Sequence, residues 1–405
     1  IKTYEVKGIY MEINILILSA GRRVELVKCF KEAAKIKNID SKIITADISE
    51  TAPATYFGNK NYIIPRIGEC GYINSIIDIC NKEDVKLIVP TIDTELRILS
   101  ENKELIEIKT NAKVLISDKK VINICRDKKN TSKFLGENGF GIPKEITLND
   151  IESENYEFPL FIKPLDGSSS INAFKINNKK ELMFFKEYID NPIIQECIEG
   201  KEYTIDAFID FDGQPITIVP RERIATRAGE ISKGKIVKDR ELIDEVKKVI
   251  EVLKPIGHIT FQCMKTKDGI KFIEINPRFG GGAPMSIKAG ANSPLNLYSL
   301  ILGEKLKYNE DYEDNMIALR FDNSIFLDSC GVLINAVVFD LDDTLISEKE
   351  YVLSGFKTVS KDISFKYNLN FEKVYEKMIV LFNESSQKVF DRILESFDIE
   401  YSKED

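Results

Sequence analysis

Between Ile13 and about Ser117 five short apolar runs, "INILILS", "SKIITA", "NYIIP", "KLIVP" and "KVLIS", are interleaved with helix-patterned stretches at 22–36, 72–80 and 93–107. Strands this short and apolar, alternating with helices, bury both faces of one sheet, which means a parallel, doubly wound α/β domain. The first turn, "SAGRRVEL", is followed by Asp47 at the end of the second run, as a dinucleotide loop would be. Arginines stand where the second and third glycines of GxGxxG belong, so the turn is not a nicotinamide site. It is expected instead to offer Arg22 or Arg23, together with Asp93, to a cleft at the strand ends.

The 405 residues, 43% hydrophobic and 30% charged, suffice for two or three globular domains. With 57 basic against 65 acidic residues, a net charge of -8 and no long basic run, small molecules are better partners than nucleic acid or an acidic membrane. Seven scattered cysteines without a CxxC pair suit a reducing compartment. The single histidine, His258, excludes multi-histidine metal sites, and excludes a Ser/His/Asp triad unless it is the base. No run approaches the roughly 18 apolar residues of a membrane helix. A cytoplasmic protein without a membrane partner is expected. Residues 1–10 precede Met11 and read as a non-native leader, with Met11 as the natural start.

Chemistry-bearing residues gather between 127 and 282. "DKKNTSKFLGENGFGIPKEI" reads as a helix with lysines in its first turn, ended by Gly139 and Gly141 before Pro143. "FPLFIKPLDGSSSINAFKI" reads as strand, small-residue loop, strand. A lysine inside an apolar strand is costly unless it meets an anion, which singles out Lys163. Gly167, Ser168, Ser169 and Ser170 are small enough to bring backbone N–H groups against phosphate oxygens. Glu196 and Glu202 flank a turn at Gly200 in "QECIEGKEYT", placed to accept from a nucleotide's amine and ribose.

"HITFQCMKTKDGIKFIEINPRFGGG" predicts a hairpin turning at Lys267–Gly269. Pairing centred on Asp268 sets Gln262 opposite Glu274, with Asn276 on the same face and Ile273 and Ile275 on the other. Three oxygen-bearing side chains on an apolar hairpin fit Mg²⁺, whose coordination substrate phosphates complete. Arg278 supplies a planar fork for a phosphoryl group or carboxylate. Arg221, Arg223 and Arg227 in "PRERIATRAGEISKGKIVKDR" are read as a cationic loop for an anionic substrate, and Asp93 as a substrate residue at the strand-end cleft.

Taken in order, "DKKNT", "FIKP" with its loop, "QECIEGKEYT", "FQ" and "FIEINPRFGGG" resemble the ATP-grasp superfamily, and within it the synthetase repeat of the carbamoyl-phosphate synthase large subunit. The resemblance covers roughly residues 12 to 320. It implies a two-lobed ATP-grasp fold with ATP and two Mg²⁺ ions, Mn²⁺ being a substitute. Lys128 and Lys163 would hold phosphates under the 166–170 loop, and Glu196, the Ile198 backbone and Glu202 would hold adenosine. Gln262, Glu274 and Asn276 would bind the metal, and Arg278 would steady the transferring phosphoryl. The implied reaction is carboxylate–amine ligation through an acylphosphate, which needs no histidine. One repeat stands here where carbamoyl-phosphate synthase has two, so bicarbonate activation is the alternative. The implied partners are small carboxylates and amines; a homodimer is compatible with them.

"VVFDLDDTL" resembles the first motif of haloacid dehalogenase-like phosphohydrolases, with Asp340 as nucleophile and Asp342 as acid and base. Residues 346–398 read as helical, like that family's cap, and the later motifs have no counterpart before Asp405. The fold expected is α/β and α+β. It runs as a leader at 1–10, a pre-ATP-grasp α/β domain at 11–118, a small lobe at 119–200, a large lobe at 201–330 and an incomplete dehalogenase-like domain at 331–405. A phosphohydrolase with a regulatory ATP-grasp part is the competing function.

Overall fold

The computed structural model describes residues 12–165, 172–227, 229–327 and 348–399. The expected Gly167, Ser168, Ser169 and Ser170 of the phosphate loop, and Asp340 and Asp342, lie outside them. Residues up to Ser324 form one compact unit and those from Ile325 a second.

All five runs of the first domain are strands: β1 (Asn14–Ile17), β2 (Ile43–Asp47), β3 (Lys60–Ile63), β4 (Val85–Val89) and β5 (Lys113–Val114). They form a parallel sheet of order β3-β2-β1-β4-β5. The order reverses between β1 and β4, and such a switch point leaves a crevice at the carboxyl ends of the two strands. Buried Glu95 ties the two loops there together. It accepts from Ser19 Oγ at 2.7 Å and from the Thr91 and Ile92 amides at 2.6 and 3.1 Å.

A second, three-stranded sheet has β6 (Leu160–Pro164) between β7 (Phe174–Ile176) and β8 (Pro192–Glu196). Its small core is Ile146, Leu160, Ile162, Ile176, Leu182, Ile189 and Ile194. The small lobe expected at 119–200 is therefore divided. Val121, Cys125, Leu135 and Phe140 bury instead against the large sheet, because the two helices at 119–137 carry their apolar faces towards it.

That large sheet runs β13 (Gly269–Asn276), β12 (Gly257–Thr266), β9 (Lys201–Ile209), β10 (Pro215–Arg227), β11 (Glu230–Ile236) and β14 (Ile317–Leu319), antiparallel throughout. The stretch expected to be a cationic loop is instead the long hairpin β10–β11, because residues 221–227 pair in antiparallel register with 230–236 and residues 216–221 are buried in the sheet. The large lobe and the first domain share a core. Phe30 of the helix Val24–Lys37 packs edge-on against Phe279 and Tyr298, at 5.9 and 6.5 Å between centroids.

The second unit holds three helices, Glu348–Tyr367, Phe371–Glu384 and Val389–Glu395, around Phe356, Val374, Met378, Leu381, Val389 and Ile393. This is the helical stretch expected at 346–398. Among the described residues no helix is long and apolar enough to cross a membrane.

One contact fixes the helix carrying Lys128 against the hairpin. Gly141 accepts from the Phe272 amide at 2.9 Å, and a Cβ on Gly141 would stand 2.2 Å from the Ile270 carbonyl oxygen. Neither backbone can yield cheaply. Gly141→Ala is expected to cost about 1–3 kcal/mol, as overpacking does. Urea unfolding with an unshifted midpoint would contradict this packing.

Candidate active site

The cleft wall is a set of cross-strand ranks. Arg221, Thr204, Gln262 and Glu274 face one another in succession across β10, β9, β12 and β13; Val219, Asp206, Thr260 and Asn276 form the next rank. The Gln262–Glu274 pairing expected from sequence is present, but it arises differently. The hairpin turns through two residues, with Thr266 opposite Gly269 and Cys263 opposite Phe272. An irregularity between Gln262 and Cys263 then inserts one residue into β13. Such a bulge puts two consecutive side chains on one face. Ile273 therefore lines the cleft beside Glu274, and does not point away as expected, while Phe272 and Ile275 stay in the core.

Two cavities lie along this wall. The first, of about 330 Å³, is lined by Lys128, Phe161, Lys163, Glu196, Cys197, Ile198, Glu202, Gln262, Met264, Ile273 and Glu274, among others. Its apolar surfaces, Phe161, Met264 and Ile273, can sandwich a planar heterocycle. Lys128 donates to the Pro164 carbonyl at 3.1 Å from the first turn of its helix. Burial, and then the neighbouring Lys128, push the Lys163 ammonium down to about 8, against the pull of Glu274. Glu196 accepts from Lys271 Nζ and from the Lys144 amide; these outweigh burial and hold its pKa below the ordinary value. Glu202 accepts from Gln262 Nε2. Arg223 Nε stands 3.2 Å from Glu202 but outside hydrogen-bond geometry, a buried donor without a partner.

The second cavity, of about 420 Å³, joins the large sheet to the switch-point loops. Arg278 grips Asp93 with two bonds, Nη2 at 2.6 Å and Nε at 3.1 Å, and Arg126 Nη1 stands 3.9 Å from the same carboxylate. Arg23 Nη1 meets Glu230 at 3.1 Å. Arg223 lines this cavity too, donating to the Gly229 carbonyl at 2.9 Å. Of the other two expected substrate arginines, Arg221 reaches the wall of the second cavity and Arg227 does not. Arg221 is 2% exposed and makes a two-bond pair with Asp206, at 2.8 and 2.9 Å, so its charge is already matched beneath the cleft. Arg227 is exposed at the far end of β10, 2.7 Å from Asp322, and lines neither cavity. Arg22 is likewise absent from both walls. Glu230, Arg126 and the bulged Ile273 were not anticipated; the switch-point rule points to the loop region but not to these partners.

The donor set suits a hard cation. Glu274 and Asn276 make no side-chain hydrogen bond among the described residues, and Gln262 uses only its amide nitrogen, so carboxylate and carbonyl oxygens remain for an ion on the cleft face. No cluster of three His, Cys, Asp or Glu occurs among the described residues, so such an ion would need phosphate ligands as well.

Comparison with known proteins agrees with this geometry. Residues 125–282 match the ATP-grasp domain family and residues 15–114 the PylC-like N-terminal domain family. Among curated relatives, D-alanine–D-alanine ligase B of Clostridium perfringens is 27% identical over 179 residues, which is 38% of this chain and 58% of the relative. Carbamoyl-phosphate synthase of Methanobrevibacter smithii is 23% identical over 281 residues, 64% of this chain and 74% of the relative. The chain thus spans little more than half of the first of these. The fold is similar to that of the biotin carboxylase domain of Hydrogenobacter thermophilus 2-oxoglutarate carboxylase (TM-score 0.59, 18% identity, 75% of this chain and 73% of that one). It is equally similar to Staphylococcus aureus N5-carboxyaminoimidazole synthetase with ADP (TM-score 0.59, 19% identity, 76% and 81%). The chain carries an ATP-grasp domain behind a PylC-like N-terminal domain, homologous to carbamoyl-phosphate synthase and to D-alanine–D-alanine ligase. None of the matched families extends to the stretch around Asp340 and Asp342.

The buried lysine makes this reading testable. Its folded-state pKa of about 8 is depressed, so the cost of its protonated form is carried in full below pH 8 and relieved above it. A polyphosphate favours the ammonium. Nucleotide binding near pH 8.5 is therefore expected to take up about three quarters of a proton, and affinity to fall as pH rises through 8. Calorimetry in buffers of differing ionisation enthalpy measures this. Uptake should vanish in Lys163→Arg, and its absence from the unmodified protein would refute the assignment.

Proposed function

We propose that the chain is an ATP- and Mg²⁺-dependent carboxylate–amine ligase that releases ADP and works through an acylphosphate. The observation that carries this is the shared wall of the two cavities: Lys128, Gly229, Gln262, Ile273 and Glu274 line both. A nucleotide in the first cavity would deliver its terminal phosphoryl to the second, where Arg278 stands.

In this reading Phe161, Met264 and Ile273 hold the adenine, with Glu196 and the Ile198 backbone at its edge and Glu202 at the ribose. Lys128 and Lys163 take phosphate oxygens. Gln262, Glu274 and Asn276 would hold the metal, which would neutralise phosphate charge when bound. A substrate carboxylate oxygen attacks the γ-phosphorus and the bond to ADP breaks, giving the acylphosphate. An amine then attacks the acyl carbon, loses its proton, and phosphate leaves. Arg278 and Arg223 are set to oppose charge developing on the phosphoryl oxygens. The ligase and synthase names of the curated relatives support this class of reaction. Biotin carboxylase is a structural neighbour solved with MgADP and bicarbonate, which keeps bicarbonate among the candidate acids. For the second unit we infer a phosphohydrolase-like reading of Asp340 and Asp342, supported by their motif and by the helices at 348–395.

The test is ADP release with Mg-ATP and pools of acids, bicarbonate included, with hydroxylamine as trap. Acid-dependent release with hydroxamate formation is expected, reduced roughly a hundredfold or more in Glu274→Ala. Release driven by bicarbonate alone would favour the carbamoyl-phosphate synthase-like alternative. Unchanged turnover in Glu274→Ala would remove the metal assignment.

A further inference from the structure

The turn after β13 contains three consecutive glycines, and each lies against a guanidinium. A Cβ on Gly280 would stand 3.4 Å from Arg278 Nη1, one on Gly281 2.7 Å from Arg23 Nη1, and one on Gly282 2.3 Å from Arg221 Nη1. Only a backbone without side chains lets three cations crowd one wall. Arg221 is matched one-to-one by Asp206. The other two are not.

Asp93 is shared by Arg278 and Arg126, and Glu230 by Arg23 and Arg320, the latter at 2.8 Å. Four guanidiniums thus stand against two carboxylates in these two clusters, a surplus of two positive charges; Arg23, Arg126 and Arg278 line the second cavity, and Arg320 lies outside its wall. A monocarboxylate activated beside Arg278 would answer one of them. The second surplus charge lies at Arg23, which the first domain brings in from the end of β1, at the switch point itself. Its hold on Glu230 is a single bond, and that carboxylate's side chain is 30% exposed. A single bond to a part-exposed carboxylate can be exchanged for one to an incoming anion, with Glu230 kept by its second partner. The Arg278–Asp93 fork, with two bonds, is the firmer of the two.

We propose that the cavity selects an acid bearing a second anionic group, a carboxylate or a phosphate, and that Arg23 is the specificity residue for that second group. The proposal rests on the ligase reading for the reacting carboxylate. Glu230 acts as the internal counterion that holds Arg23 in place until substrate arrives. Its displacement leaves Glu230 to Arg320.

Equilibrium binding tests this without turnover. Calorimetry on the full chain, saturated with Mg²⁺ and a non-hydrolysable ATP analogue, compares glutarate and 3-phosphoglycerate with butyrate and glycerate. At least one of the two doubly functional acids, here called dianions although the phosphate brings close to two charges of its own, is expected to bind tenfold or more tightly than its monoanionic counterpart, and which one does so tells carboxylate from phosphate. Arg23→Gln should abolish that preference while the affinity for the analogue stays unchanged. Arg23→Lys should keep part of it, and Glu230→Gln should strengthen it, a gain that a merely structural ion pair would not give. Equal binding of mono- and dianions, no binding of either dianion, or a preference that survives Arg23→Gln would overturn the proposal. Failure of hydroxamate trapping with the dianion preference intact would remove the ligase reading and leave the anion site standing; the converse result would do the reverse.

Discussion

The cleft depends on one buried carboxylate. Asp206, on β9, accepts two bonds from Arg221 of β10, one from Ser286 at 2.6 Å and one from Thr260 of β12 at 3.2 Å. Burial opposes its charge, but Arg221 outweighs burial and holds it well below the usual carboxylate range. The imidazole of His258, stacked on Phe279 at 4.3 Å, places Nε2 3.7 Å away, too far for a hydrogen bond. Four segments are thereby locked under the glycine turn. Removing one partner of such a pair strands a buried charge, which typically costs about 3–5 kcal/mol. The only histidine is thus part of the floor, and the chemistry above it belongs to lysine, arginine, carboxylate and amide groups.

On that floor the sheet register does the positioning. Each rank crosses four strands, so Gln262 and Glu274 are aligned by backbone hydrogen bonds and need no rigid side-chain network. The three-stranded sheet supplies the opposite wall with Lys163 and Glu196, and the parallel sheet closes the far end with Asp93 and Arg23. A cavity at a meeting of lobes can separate nucleotide from acid and still share a boundary between them.

Much of this was legible in the sequence because it rests on local rules. The five strands of the first domain, the helix opening at Lys128, the strand holding Lys163 and the existence of the 257–276 hairpin all follow from periodicity and turn chemistry. What was not legible depends on tertiary context. A symmetric hairpin rule gives the Gln262–Glu274 pair but cannot foresee the bulge that turns Ile273 into the cleft, since nothing in "GIKFIEIN" marks where the extra residue falls. The arginines of "PRERIATR" look alike in sequence. Their separate fates follow strand position: Arg221 beneath the glycine turn, Arg223 at the cavity, and Arg227 at an exposed end. Ion pairs such as Arg23–Glu230 join residues 207 positions apart, beyond any local signal.

The central claim is that the Gln262, Glu274 and Asn276 face of the hairpin holds the divalent ion where the two cavities meet. Paramagnetic resonance of Mn²⁺ titrated into the protein with ADP tests it most directly. Nucleotide-dependent binding of Mn²⁺ is expected, and its loss in a folded Glu274→Ala, Asn276→Ala double variant. Mn²⁺ held equally well by that variant would contradict it.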